Sequence, residues 1–464
     1  MTDHHEPLSF RGGVWASAVP MFTFVAFTIW LVFVGAPEPR GMIIGAMLGI
    51  SLGMLFVRNI RHYSERIFTL MANRIAAVAV VCWLWAGAFS GILGQSKLVE
   101  AIVWIGWKLE LSGPSFTVAV FLSAALFAVS VGTGLGTVLG FTAVMYPAGV
   151  ILEGNPAALM GAIFSGAAFG DNLAPISDTT IVSAATQETD VGGVVLSRLK
   201  YVLIAGGITA TLFYIFGGGS SAVDPAEVDR LLAEKNVSPQ GLPMLIPAAV
   251  VFLVAVRGYH FLGALTAGIV TAIVLGPMIG VFSLQDLIYI TPDGQIEGSA
   301  VEGAMGLVDI AILTLLLVTS IGIMAEGGFL DALMSWLDRT MARTVRGAEA
   351  AIVALISFTN LCVSVNTVAM ITAGPLANEL RKRHGIHPYR SANLLDTISC
   401  SFPYLLPYAA TIPAAVSVQI AVHQKYDFVP ILTWGQQVPY IFYGMVLFPL
   451  MLVAVATGFG RRSG

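Results

Sequence analysis

Gly170-Asp171-Asn172-Leu173-Ala174-Pro175-Ile176-Ser177-Asp178-Thr179-Thr180 places two carboxylates, a proline and three hydroxyls inside an otherwise apolar stretch. A carboxylate near the middle of a membrane helix costs roughly 2.5–3.5 kcal/mol on insertion scales. A pair seven residues apart is therefore expected to meet an ion, a proton or a substrate. Pro175 has no amide hydrogen and displaces the helix it sits in, which frees the carbonyl of Asp171. An unpaired carbonyl in lipid is tolerated only against protein, water or an ion. Asp171, Asn172, Ser177, Asp178, Thr179 and Thr180 would then surround the break with oxygens, the ligand type a hard cation such as Na⁺ prefers. Burial and mutual repulsion penalise the doubly charged state, so the same pair can hold a proton or a metal cation. The purely structural alternative is that Asp178 caps the half-helix after the break while Asp171 binds backbone amides.

Working outward, the 464 residues are 56% hydrophobic and 11% charged, with repeated apolar stretches near the ~20 residues needed to cross a bilayer. The class is an all-α polytopic membrane protein. The net charge of −4 says little about partners, because topology depends on where Lys and Arg lie. Cys82, Cys362 and Cys400 fall in apolar segments without metal or redox spacing and read as core. Residues 1 to 13 are polar and no small-residue cleavage site follows the first apolar segment, which argues against a removable signal peptide.

Basic residues concentrate at Arg58 to Arg74, at Arg198 and Lys200, at Arg339 to Arg346, at Arg381 to Arg390, and at Arg461 and Arg462. The positive-inside rule makes all of these cytoplasmic, with both chain termini on that side. The acidic loops at 218 to 242 and 282 to 306 read as external, and Arg58 to Arg74 as a basic amphipathic helix on the inner leaflet. The apolar stretch 350 to 376 then begins and ends on cytoplasmic clusters although it is too short for two full spans, so a re-entrant hairpin or broken pair is expected. The stretch 115 to 152 leaves from and returns to the external side, turning at Val131-Gly132-Thr133-Gly134-Leu135-Gly136-Thr137. Thr133 and Thr137 mark that hairpin turn.

The two hairpins have opposite orientation, and a shift of 230 residues superposes Thr137, Val138, Thr142 and Ala143 on Thr367, Val368, Thr372 and Ala373. Interrupted helices in inverted repeats are the architecture of many secondary transporters. The expected organisation is a single transporter domain, 1–464, with inverted repeats at 75–217 and 307–457. The second half supplies Asn366 and Thr367 at its hairpin, then Asp396, Tyr408 and Thr411 around a stretch unwound by Pro403 and Pro407. These five form an expected second-repeat substrate site, although Asp396 lies close to a cytoplasmic end where interfacial solvation would also account for it. Glu326 and Asp309 read as solvated helix ends.

The signature from Gly170 to Thr180 resembles the G-D-x-L-x-P-x-S-D-T-T pattern of the NhaC family of Na⁺/H⁺ antiporters, within the ion transporter superfamily. The Gly-Thr rich turn from Gly132 to Thr137, Asp396-Thr397 and Leu406-Pro407 support it, and the resemblance runs from about residue 10 to 457. It implies a multi-pass exchanger of a bacterial or archaeal cytoplasmic membrane, with Asp171 and Asp178 as candidate Na⁺ and proton carriers. Two departures concern the substrate: Tyr408-Ala409 stands where typical members carry Trp-Asn after the proline, and Glu326 stands where a small or apolar residue is expected.

The resulting expectation is a secondary antiporter, not an enzyme, exchanging Na⁺ for H⁺ by alternating access without a cofactor or nucleic acid. The alternative keeps the Na⁺ site and couples it to an amino acid or small carboxylate held by half-helix N-termini and by Asn366, Thr367 and Tyr408. An intramembrane aspartyl protease using Asp171 and Asp396 is disfavoured, because Ala168-Phe169-Gly170-Asp171 lacks the first glycine of a G-x-G-D motif. Membrane lipid and small ions or solutes are the expected partners. A homodimer suits the architecture, although no residue indicates one.

Overall fold

The computed structural model describes residues 7–34, 39–72, 74–131, 134–175, 177–219, 238–257, 259, 261–341, 344–363 and 365–461. Thr133 and nearly all of the acidic loop at 218 to 242 lie outside these. The described residues form twenty helices of seven residues or more. The first ten are α1 (Val19–Phe33), α2 (Pro39–Phe56), α3 (Ile60–Met71), α4 (Arg74–Gln95), α5 (Leu98–Lys108), α6 (Gly113–Val131), α7 (Gly134–Ile151), α8 (Pro156–Leu173), α9 (Asp178–Thr186) and α10 (Val191–Phe216). The second ten are α11 (Leu245–Val256), α12 (Phe261–Met278), α13 (Ser299–Met305), α14 (Val308–Glu326), α15 (Phe329–Met341), α16 (Val345–Val363), α17 (Asn366–His384), α18 (Pro388–Ser399), α19 (Thr411–Lys425) and α20 (Phe442–Thr457). A short antiparallel ribbon, β1 (Tyr289–Ile290) with β2 (Ile296–Glu297), precedes α13 and sets Ile290 opposite Ile296.

Several helices of the first ten have a counterpart ten places later, with packing partners exchanged between the sets. Thus α7 packs on α19 while α17 packs on α9, α4 packs on α12 and α13 while α14 packs on α2 and α3, and α10 packs on α18 while α20 packs on α8. The pairs α4 with α14 and α10 with α20 meet directly. Within the last pair the direction is fixed by aromatic contacts. Tyr201, near the start of α10, stacks edge-on with Phe459 just beyond α20, whereas Phe213, near the end of α10, meets Phe442 at the start of α20. These two counterpart helices therefore run antiparallel, as in an inverted-repeat transporter with hairpins and interrupted helices.

Five described helices or helix pairs are long and apolar enough to cross a membrane, or seven when two bent pairs are each counted as one span. The bends are 63° between Trp83–Gln95 and Leu98–Gly106, and 55° between Trp434–Tyr440 and Phe442–Thr457. The second hairpin is longer than the apolar stretch 350 to 376 suggested. Helix α16 starts back at Val345 and α17 continues to His384, because Arg346, Glu349 and Arg381 to His384 extend the helices beyond their apolar cores. Gly385, in the left-handed conformation at φ 64°, stops α17.

The two interrupted helices begin alike. Asn155 caps α8, accepting from the Ala157 and Ala158 amides at 3.0 and 3.2 Å, with Pro156 in the first turn. His387 caps α18 through Nδ1, with Pro388 next. Helix α8 ends at Leu173 because Pro175 supplies no amide, and the chain restarts as α9 after Ser177. After α18 the chain passes through the 3₁₀ turn Phe402–Tyr404 and Pro407 before α19 begins at Thr411.

Gly166 and Gly170 let α8 lie against α6 with almost no separation. A Cβ at Gly166 would sit 2.6 Å from both the Ala124 Cβ and the Phe121 carbonyl oxygen, and one at Gly170 2.3 Å from the Ala128 Cβ. Gly166→Val is expected to lower the thermal midpoint of the purified protein, since overpacking costs about 1–3 kcal/mol. An unchanged midpoint would contradict this close approach.

Candidate functional site

The last turn of α8 and the first turn of α9 carry the signature. Asp171 is 7% exposed and accepts a hydrogen bond from the Ser177 hydroxyl at 2.8 Å. The Ser177 oxygen lies 2.8 Å from the Thr179 hydroxyl, also buried. The break thus folds back on itself, and one carboxylate and two hydroxyls gather on one side. The backbone of Asp178 opens α9, while its side chain lies outside the described residues.

The Asn172 carbonyl and the Thr180 hydroxyl are both taken by Arg198. Its guanidinium is fully buried and reaches three helices. Nη1 donates to the Asn172 carbonyl and, at 3.2 Å, to the Thr180 hydroxyl; Nε donates to Asn393 Oδ1 at 3.1 Å; Nη2 lies 2.5 Å from Asp396 Oδ2. A carbonyl at the end of α8 is therefore satisfied by Arg198 instead of being left in lipid. The amide nitrogen of Asn172 donates to the Tyr443 phenol at 3.1 Å, and its Oδ1 is buried without a hydrogen-bond partner.

Asp396 is fully buried, not solvated at a helix end. Besides Arg198 it takes the Ser183 hydroxyl at 3.3 Å and the Cys400 thiol at 3.3 Å. Helix α9, which follows the first break, packs on α18 here, and Arg198 ties the end of α8 to Asp396 of α18. The assignment of Arg198 to a cytoplasmic basic cluster is corrected: it points inward from the second turn of α10. Such a charge is held in the interior only because a carboxylate and three further acceptors match it.

The remaining expected residues are dispersed. Asn366 and Thr367 are half-buried at the start of α17, and Thr137 is buried at the start of α7. Tyr408 donates to the Leu361 carbonyl at 2.6 Å and Thr411 to the Pro403 carbonyl at 2.8 Å, so both brace the second break. Ser399 donates to Asn360 Oδ1 at 2.9 Å. Sequence reasoning did not single out Arg198, Ser183, Asn393 or Tyr443. Arg198 stood out only as a basic residue next to the signature helix.

One further correction concerns charge. Glu326 is not a solvated end: both its oxygens accept from Arg66, which is 8% exposed on α3, with Nε at 2.9 Å from Oε2. Between α9 and α10, Glu188 ties the loop to α17, and hydrogen bonds from Lys382 and Asn378 hold its carboxyl below the usual range. Among the described residues no three His, Cys, Asp or Glu side chains come together. The described oxygens that could hold a cation at this break are one carboxylate, two hydroxyls and the Asn172 amide oxygen, a set suited to a hard monovalent ion.

Residues 8–218 match the Na⁺/H⁺ antiporter family. A Malate-2H(+)/Na(+)-lactate antiporter of Bacillus subtilis (strain 168) is 30% identical over 246 residues, 52% of this chain and 50% of that protein. The Na(+)/H(+) antiporter NhaC of the same organism is 28% identical over 49% of this chain and 56% of its own length. The chain thus spans about half the length of the curated relatives it matches. Among solved structures, the YdaH transporter of Alcanivorax borkumensis aligns over 95% of this chain and 99% of its own at 14% identity, with a TM-score of 0.46.

Proposed function

We propose that this chain, whose residues 8–218 match the Na⁺/H⁺ antiporter family, exchanges Na⁺ for H⁺ across a prokaryotic cytoplasmic membrane by alternating access. The observation that carries this reading is the buried carboxylate of Asp171 beside the hydroxyls of Ser177 and Thr179 at a helix break. A carboxylate in such surroundings is held either with a proton or with a bound cation, since the bare charge is costly there. Exchange follows if each occupant must leave before the other enters. The hydroxyls serve both states: they donate to the carboxylate when it is charged and offer lone pairs to Na⁺ when it is bound. Asp178, across the break at the first residue of α9, is proposed as the second carrier.

The exchanged packing of counterpart helices supports inverted repeats at 75–217 and 307–457, with α1 to α3 and α11 to α13 packing around them. Lys200, Arg390 and Arg461 gather where α10 begins and α20 ends. That concentration supports a cytoplasmic location for this face and for both termini.

The test is dequenching of a pH dye in proteoliposomes on adding Na⁺. A Na⁺-dependent response saturating in the millimolar range, without added organic solute, is the expected result. A response to malate or lactate with Na⁺, and none to Na⁺ alone, would replace this reading by solute-coupled transport.

A further inference from the structure

Asn172 is gripped at two points, and the grip decides which of its atoms remains available. Its backbone carbonyl takes an N–H from Arg198 and its side-chain nitrogen donates to the Tyr443 phenol, while Oδ1 is buried without a partner. Tyr443 is itself fully buried, and its amide donates to Ser165 on α8 at 3.2 Å, about two turns before Asn172. Arg198 joins the end of α8 to the start of α9 through Asn172 and Thr180, and both to α18 through Asn393 and Asp396. The negative end of a half-helix attracts cations. Here the guanidinium occupies that end, and Asp396 balances its charge.

Resting on the Na⁺/H⁺ reading above, we infer that Arg198 and Tyr443 are positioning residues that present Asn172 Oδ1 to the transported cation, and that Asp396 is the fixed counter-ion of Arg198 and carries neither Na⁺ nor the proton. A buried amide oxygen without a donor is costly. A cation bound next to Asp171 would satisfy it. The arrangement also gives the two carboxylates different tasks: Asp396 faces three donors of the protein, among them the balancing guanidinium of Arg198, whereas Asp171 accepts the Ser177 hydroxyl at the break.

The experiment measures the Na⁺ concentration for half-maximal exchange and the maximal rate in proteoliposomes, together with the Na⁺-dependent rise of the thermal midpoint. Four proteins are compared: wild type, Tyr443→Phe, Asp396→Asn, and the double variant Arg198→Gln with Asp396→Asn. Tyr443→Phe removes one oxygen and is expected to raise the half-maximal concentration about fivefold to tenfold, the effect of one lost hydrogen bond, with the maximal rate nearly kept. Asp396→Asn leaves an unbalanced guanidinium charge beside the site and is expected to raise it more than about tenfold. The double variant removes both charges and, because neutral replacement of a buried pair is tolerated, is expected to exchange Na⁺ with higher affinity than Asp396→Asn alone.

Loss of all exchange in the folded double variant would make Asp396 a carrier and overturn the inference. So would a Tyr443→Phe protein with wild-type affinity. If Asp396→Asn fails to fold, Tyr443→Phe and the double variant still decide. A wild type without any Na⁺ response would overturn the Na⁺/H⁺ reading and this inference with it, whereas a responsive wild type matched by every variant would overturn this inference alone.

Discussion

Asp171→Asn is expected to reduce Na⁺-driven proton movement to background while leaving the protein folded. Asparagine has nearly the shape of aspartate, and its amide oxygen can still accept the Ser177 hydroxyl that Asp171 accepts at 2.8 Å. The first half of the signature should therefore keep its geometry. What disappears is the negative charge, and with it the ability to bind a proton or to offset the charge of Na⁺ in a medium where a bare cation is costly. Ser177→Ala gives the graded comparison. It removes the hydroxyl shared by Asp171 and Thr179, and is expected to weaken apparent Na⁺ affinity about fivefold, which corresponds to a ~1 kcal/mol hydrogen bond. Dequenching in proteoliposomes as a function of Na⁺ checks both, with the thermal midpoint as the control for folding. Exchange by Asp171→Asn at more than a few per cent of the wild-type rate would remove Asp171 from the carrier role. Full loss in Asp171→Asn with no change in Ser177→Ala would keep the carboxylate and remove the hydroxyl from the cation shell.

The break around Pro175 was legible because its cause is local. A missing amide ends α8 wherever the proline stands, and Asn155-Pro156 opens the same helix by an equally local rule. The hairpins were legible in position, since apolar stretches mark both and glycines mark the turn of the first. Their lengths were not, because Arg346, Glu349 and Arg381 to Arg383 interrupt the apolar pattern without interrupting the helices. Least legible were the buried ion pairs. Arg198 meets Asp396, Arg66 meets Glu326 and Arg390 meets Glu349, and each pair joins helices far apart in the chain. In sequence, an arginine near a helix start looks the same whether it faces water or the interior. Only the tertiary partner decides, and a rule based on counting basic residues assigns all of them to solvent. The signature residues fared similarly. Asp171, Ser177 and Thr179 gather because they are close in sequence, whereas the roles of Asn172 and Thr180 depend on Arg198, which arrives from another helix.

Glu349 carries the second large expectation, Glu349→Gln lowering stability by about 3–5 kcal/mol, as when one member of a buried ion pair is removed. Its carboxylate is completely buried on α16 between two arginines. Arg390 of α18 approaches with Nε at 3.1 Å and Nη2 at 3.2 Å, and Arg461, beyond α20, with Nε at 3.1 Å and Nη2 at 2.7 Å. Arg390 also donates to the Tyr201 hydroxyl on α10 and to the Ala454 and Phe459 carbonyls. One carboxylate therefore holds the ends of α10, α16, α18 and α20 together, and its loss leaves two guanidinium groups facing each other. The two halves of the cluster are unequal. Arg390 is almost fully enclosed, at 2% side-chain exposure, whereas Arg461 is 27% exposed and partly screened by water. Arg461→Gln should accordingly cost only about 1 kcal/mol. Thermal or chemical unfolding in detergent distinguishes the two, and equal losses would mean that the pairs contribute alike despite their different burial. The consequence reaches the proposed cation site through α18, which carries Arg390 in its first turn and Asp396 less than two turns later. Release of Arg390 from Glu349 should loosen the helix that supplies the counter-charge to Arg198, so Na⁺ affinity in Glu349→Gln should fall along with stability, although the described partners of Glu349 are Arg390 and Arg461 and not the residues of the break.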